Sequence, residues 1–168
     1  MTGRPQASSE SVRARLSAQA VRDTKPELAL RRELHKRGLR YRVNFPVPGL
    51  PRRTIDIAFT RQKVAVFVDG CFWHGCPDHS VPAKANAEWW VAKLQANVER
   101  DLGTSQFLEN QGWRVLRLWE HDLRDEVSTA AQGGRVVDLW SNRLEAPRGA
   151  ATDSPGRPPR GRDSRPTA

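Results

Sequence analysis

Between residues 69 and 79 the chain reads Asp-Gly-Cys-Phe-Trp-His-Gly-Cys-Pro-Asp-His, which gathers both of its cysteines, two of its four histidines and two large aromatics. Thiolate and imidazole are the ligands zinc favours, so Cys71, Cys76 and His79, spaced Cys-x4-Cys-x2-His, point to a metal-held loop. Phe72, Trp73 and His74 fall between those ligands and would be held rigid and presented. Two other readings compete. Cys71 and Phe72 follow the apolar run Val64-Ala65-Val66-Phe67-Val68 and could simply be core. A Cys71–Cys76 disulfide is the other, but the first ten residues carry no apolar h-region, so a reducing cytoplasm is expected and metal is favoured. Three ligands leave tetrahedral zinc one short. His121 is the natural fourth, because it follows the strand-like run from Arg114 to Trp119 while His35 sits in a charged helix; His74 is a rival.

A second chemistry is written into Thr54-Ile55-Asp56-Ile57-Ala58-Phe59, where a lone carboxylate stands among apolar neighbours. Such a group is costly to bury unless it is paired or bound to a cation. The next apolar run ends at Val68-Asp69-Gly70, and His74 lies five residues on. An acid on one strand beside the end of the next is a common way to build divalent-metal sites for phosphodiester hydrolysis.

The positioning elements follow from period and punctuation. Thr24-Lys-Pro-Glu27 opens a helix with capping-box spacing, Leu30 and Leu34 mark its apolar stripe, and Gly38 with Leu39 closes it. Strands are predicted over 41–45, 54–59 and 64–68, the last apolar on both faces and therefore central. A long helix is predicted over 86–111, ending before Gly112, then a strand over 114–119 and a helical segment through Trp140. This order gives an α/β fold with three α/β/α layers on a mixed sheet. Residues 1–20 read as a basic N-terminal arm, 21–144 as the domain, and 145–168 as a disordered basic tail, since that last stretch holds five Pro, three Gly and five Arg.

With the tail's five Arg and three acids set aside, the rest of the chain still carries +7 of the total +9, which favours a polyanionic partner over a merely cationic surface. No apolar run exceeds five residues, so no membrane span is expected.

The runs Phe67 to Pro77, Asn97-Val-Glu-Arg-Asp101 and Gly112-Trp-Arg-Val-Leu-Arg-Leu-Trp-Glu-His121, with Arg22-Asp-Thr-Lys-Pro-Glu27, resemble the very short patch repair (Vsr) endonucleases over roughly residues 20–144. The resemblance implies a restriction-endonuclease-like fold and an enzyme that nicks the thymine strand, 5′ of T, at the T:G mismatches left by deamination of 5-methylcytosine. It implies Mg²⁺ held by Asp56 and the Val68 carbonyl, His74 as the group that activates water, and Glu27 and Asp101 acting through the metal's water shell. Capping alone would also account for Glu27, and a solvated place beside Arg100 for Asp101. The structural zinc set becomes Cys71, Cys76, His79 and His121, although some members order their His and Cys differently and carry Cys at the last position. Position 69 can be His in the family, and the Lys that the wider nuclease fold places two residues after its second acid is missing here. Phe72, Trp73 and Trp90 match an intercalating wedge, and Trp90, Leu94, Asn97 and Asp101 share one face of the long helix. Trp89 fits core as well as wedge; Trp113, Trp119 and Trp140 are assigned to core.

Products with a 5′-phosphate and a 3′-hydroxyl, mismatched duplex DNA and downstream repair proteins as partners, a monomeric state and a nucleoid-associated cytoplasmic location complete what the resemblance implies. The competing functions are a restriction-type nuclease on matched DNA and a non-catalytic zinc-loop DNA-binding module.

Overall fold

The computed structural model describes residues 22–79 and 86–142, together with Glu10 and Ala14. Apart from those two residues the expected N-terminal arm lies outside the described part, as does the expected C-terminal tail. Helix α1 spans Lys25–Lys36, and Glu27 returns its side chain to the Thr24 amide as the capping spacing anticipated. At its other end Gly38 takes φ +77° and the Leu39 amide reaches back to the Leu34 carbonyl, which closes the helix as predicted.

Four strands follow: β1 Arg42–Val47, β2 Leu50–Phe59, β3 Val64–Asp69 and, after helix α2 Ala87–Asn110, β4 Arg114–Trp119. They lie in the order β1-β2-β3-β4, antiparallel up to β3 and parallel between β3 and β4. The mixed sheet and the interior place of Val64–Val68 agree with the sequence. β1 and β2 run further toward each other than predicted, through Pro46 and Pro51, and meet at a tight turn with Gly49 at φ +87°. β1 is an edge strand, where the missing amide donor of Pro46 is tolerated, and Pro51 lies on the stretch of β2 that precedes its ladder with β3. A short 3-10 helix, Glu120–Leu123, and helix α3, Glu126–Ser141, complete the described chain.

The core divides by sheet face. Leu30 and Leu34 of α1 and Val136 of α3 pack with Ile57, Phe59, Val64, Val66 and Leu118 on one face. Leu108 of α2 packs with Val47, Ile55, Ala58, Ala65, Phe67 and Trp113 on the other. The three layers expected from the element order are therefore helices, sheet and helix. Ile55 and Ile57 should share a face under strict alternation, yet they join different clusters, so β2 changes facing at Asp56. The β2–β3 ladder runs only from Ile57↔Val66 to Phe59↔Val64, and beyond it the Asp56 carboxylate, not a backbone carbonyl, accepts the Val68 amide at 2.8 Å. This fraying sets the acid at the sheet's end. Among the described residues, no helix is long and apolar enough to cross a membrane.

Candidate active site and metal-ligand cluster

Immediately after β3 the chain folds into a compact loop, pinned by Trp73 and His74 amides on the Gly70 carbonyl and by the Cys76 amide on the Cys71 carbonyl. Glu120 secures its start by accepting the Cys71 amide at 2.9 Å. Both cysteines are free and buried. The parallel pairing of β3 with β4 delivers His121 beside them: its Nδ1 lies 3.2 Å from Cys71 Sγ and 3.7 Å from Cys76 Sγ, while His79 Nδ1 lies 3.6 Å from Cys76 Sγ. All four donor atoms fall within 4.8 Å of one another.

A zinc ion with bonds of about 2.0–2.3 Å sets its tetrahedral ligands about 3.4–3.8 Å apart, so these separations fit. Burial pushes the Cys71 thiol up to about 11, an environment that needs a cation if the sulfur is to ionise. The far nitrogen of His121 lies 3.6 Å from Asp122, the carboxylate support that metal-binding imidazoles commonly have. His74, the rival fourth ligand, is not part of this cluster.

Asp56 is half-buried, and burial, opposed by the Val68 hydrogen bond but reinforced by the charges of Glu27 and Asp69, lifts its carboxyl to about 6. Glu27 is buried; it caps α1, accepts a bond from Arg31 and still reaches Asp56 electrostatically. Capping and proximity to the site thus coexist. A half-buried carboxylate whose carboxyl is raised by burial and by two neighbouring acids, next to a strand end where the backbone ladder has opened, suits a hard cation such as Mg²⁺.

His74 belongs to the same loop. Its Nδ1 lies 2.5 Å from Asp101 Oδ2 and 3.5 Å from Asp69 Oδ1. A carboxylate only accepts, so Nδ1 carries the proton and Nε2 of the neutral ring keeps its lone pair, the arrangement of a general base. Asp101 is turned inward, not solvated beside Arg100, although Arg100 touches it at 3.2 Å. Burial alone would raise Asp101, but the His74 hydrogen bond and the Arg117 charge outweigh it and hold the carboxyl below its ordinary range.

Helix α2 serves the loop along one face. Trp90 packs against Phe72 and Trp73 with ring centroids 5.2 and 5.7 Å apart, Asn97 donates to the Trp73 carbonyl at 3.0 Å, and Asp101 meets His74. Phe72 and Trp73 are themselves edge to face at 5.1 Å, and all three rings are half-buried and outside both core clusters. Trp89 meets Trp90 edge-on at 5.0 Å and is also outside the clusters, so of its two readings the core one does not hold. Trp113 is core on the α2 face of the sheet, and Trp140 packs against the cluster on the opposite face. Trp119 departs from expectation: it is half-buried and lies parallel to His121 at 6.4 Å, because the turn into the 3-10 helix brings the two rings together.

Sequence reasoning passed over Arg117, which grips Asp69 through two bonds of 2.7 and 2.6 Å. The signal was available: Arg117 is the one charge in the apolar run 115–118, as Asp56 is in 55–59.

Fold and site together define the class, an α/β protein with a Cys2His2 ligand set and a carboxylate–histidine centre gathered at the end of a mixed sheet. Residues 7–80 match the family described as DNA mismatch endonuclease Vsr. The chain is 53% identical over 109 residues to the type II nicking enzyme V.NaeI of Lentzea aerocolonigenes, covering 62% of this chain and 65% of that protein. With V.XorIIP of Xanthomonas oryzae it shares 37% over 131 residues, 75% of this chain and 93% of the relative. With the DNA mismatch endonuclease Vsr of Escherichia coli it shares 39% over 112 residues, 65% and 69% of the two chains. The catalytic domain of the homing endonuclease I-Bth0305I superposes with a TM-score of 0.49 at 18% identity, covering 73% of this chain and 99% of that one. The chain belongs to the Vsr family.

Proposed function

We propose that this chain is a Mg²⁺-dependent, zinc-stabilised endonuclease of restriction-endonuclease-like fold that nicks the thymine strand of T:G-mismatched duplex DNA 5′ of the T. The observation that carries this reading is that two rings of the cluster and the histidine of the His74–Asp101 pair are consecutive residues, Phe72, Trp73 and His74, on one loop backed by α2. Family membership supports DNA as the substrate, and the surplus of positive charge suits it.

Asp56 and the Val68 carbonyl would hold Mg²⁺, which when bound supplies positive charge to the scissile phosphate. Glu27 and Asp101 would act through the water shell of that ion. His74 Nε2 takes a proton from the water that adds to phosphorus, Asp101 holds the ring by Nδ1, and the P–O3′ bond breaks, the departing O3′ taking a proton from solvent, to leave a 5′-phosphate and a 3′-hydroxyl. Cys71, Cys76, His79 and His121 would hold zinc as a closed structural site that fixes the loop. On this reading residues 21–144 are the nuclease domain, the basic arm and tail add phosphate contacts, and the enzyme works as a cytoplasmic monomer that hands its nick to downstream repair proteins.

Phe72, Trp73 and Trp90 sense the mismatch by entering the base stack, where a mispaired step costs less to open than a matched one. Trp73→Ala should therefore slow nicking of T:G duplex by about 10-fold or more, since base–aromatic stacking is worth about 1–3 kcal/mol, and narrow the gap to matched duplex. The cut should stay on the thymine strand. Single-turnover rates on the two duplexes check this; undiminished discrimination by Trp73→Ala would remove the ring from the wedge.

A further inference from the structure

Arg117 is the single charge in Val115-Leu116-Arg117-Leu118, and the parallel register of β3 with β4 sets it beside Phe67. Its guanidinium carbon lies 4.7 Å from the centroid of that buried ring, which supports it from beneath. The planar group then closes on Asp69, Nε 2.7 Å from Oδ2 and Nη2 2.6 Å from Oδ1. Nη2 also lies 3.6 Å from Asp101 Oδ2, and Nη1 reaches the Asp101 backbone carbonyl at 3.5 Å. One residue of β4 thus ties the end of β3 to the middle of α2.

His74 sits between the two acids that Arg117 touches, and both compete for its one Nδ1 proton. Arg117 engages both oxygens of Asp69 closely and Asp101 only at longer range, which leaves Asp101 Oδ2 free for the histidine. The distances agree, 2.5 Å to Asp101 against 3.5 Å to Asp69. Asp69, His74 and Asp101 also place three donor atoms within 4.8 Å of one another, and Arg117 already supplies the positive charge there.

We propose that Arg117 is a positioning residue for the His74–Asp101 pair: by occupying Asp69 it assigns the histidine to Asp101 and sets the direction of Nε2. This rests on the reading of His74 as the base. A planar fork is required, because an ammonium is a point charge that cannot fix both oxygens of Asp69 in one plane.

The test is steady-state nicking of T:G duplex by the full-length chain, with Arg117→Met, Arg117→Lys, Asp69→Asn, the Asp69→Asn/Arg117→Met double variant and His74→Ala. Misorienting a catalytic group costs about 10²-fold, so Arg117→Met should lose about that in kcat while KM for DNA stays within about twofold. Arg117→Lys keeps charge and stem, guards against simple misfolding, and should still lose about 10-fold in kcat. The double variant should be no slower than the slower single one, since both changes break one device. Retention of zinc by each variant would confirm an intact loop. Unchanged kcat in Arg117→Met while His74→Ala is inactive overturns the positioning role and leaves the function standing. A raised KM with kcat intact overturns it as well, because it makes Arg117 a DNA contact. A wild-type chain that nicks no duplex overturns both.

Discussion

Asp56→Asn is expected to lose nicking by about 10³-fold or more and, at the same time, to melt at a higher temperature than wild type when no divalent cation is added. The two effects share one cause. Removing a metal's charged ligand removes its contribution to the transition state. In the cation-free protein, however, the same carboxylate is a liability, because burial lifts its carboxyl to about 6 from an ordinary value of 3.8. A folded value above the unfolded one means that the stability present below pH about 4 is lost as pH rises through about 6. At pH 7.5 the ionised form costs up to about 3 kcal/mol, which Asn avoids while still accepting the Val68 amide. Melting curves at pH 4 and 7.5 should coincide for the pair at the lower pH and separate by several degrees at the higher. Equal melting at pH 7.5 would mean that Asp56 is not under that strain.

Removing zinc should act on the fold before it acts on chemistry. Cys76 is fully buried and within reach of two imidazoles, and structural zinc in small peptides supplies about 10–16 kcal/mol of apparent binding energy at neutral pH. Cys76→Ala should therefore lose bound zinc and the cooperative melting of the loop, and with it nicking, because His74 and the rings hang on the same turn. His74→Ala should keep one zinc per chain, as it lies outside the ligand cluster. Elemental analysis after dialysis, paired with melting curves, reads both outcomes. A zinc-free wild type that melts unchanged would contradict the structural role.

Much of this was legible where the determinants are local. Thr24, Glu27 and Gly38 bound α1, Gly112 ends α2, and Cys71, Cys76 and His79 sit close enough in sequence to announce a ligand set. The full extent of β1 and β2 was not, because Pro46 is acceptable only through the edge position of β1 and Pro51 only on the part of β2 outside its ladder with β3, and both depend on the sheet order. Contacts between distant residues were not visible in spacing either. The resemblance named His74 and Asp101 separately and only the fold pairs them, and the Arg117–Asp69 pair depends on the register of two parallel strands. Nor could periodicity show that β2 changes facing at Asp56.

The central claim is tested most directly by strand-resolved nicking of end-labelled duplexes, one carrying a single T:G pair and one fully matched, with and without Mg²⁺. The expected result is a single cut 5′ of the mismatched T, on the thymine strand, seen only with Mg²⁺ and far faster than any cut in matched DNA. Equal cutting of both duplexes, cutting of both strands, or full activity without a divalent cation would contradict it.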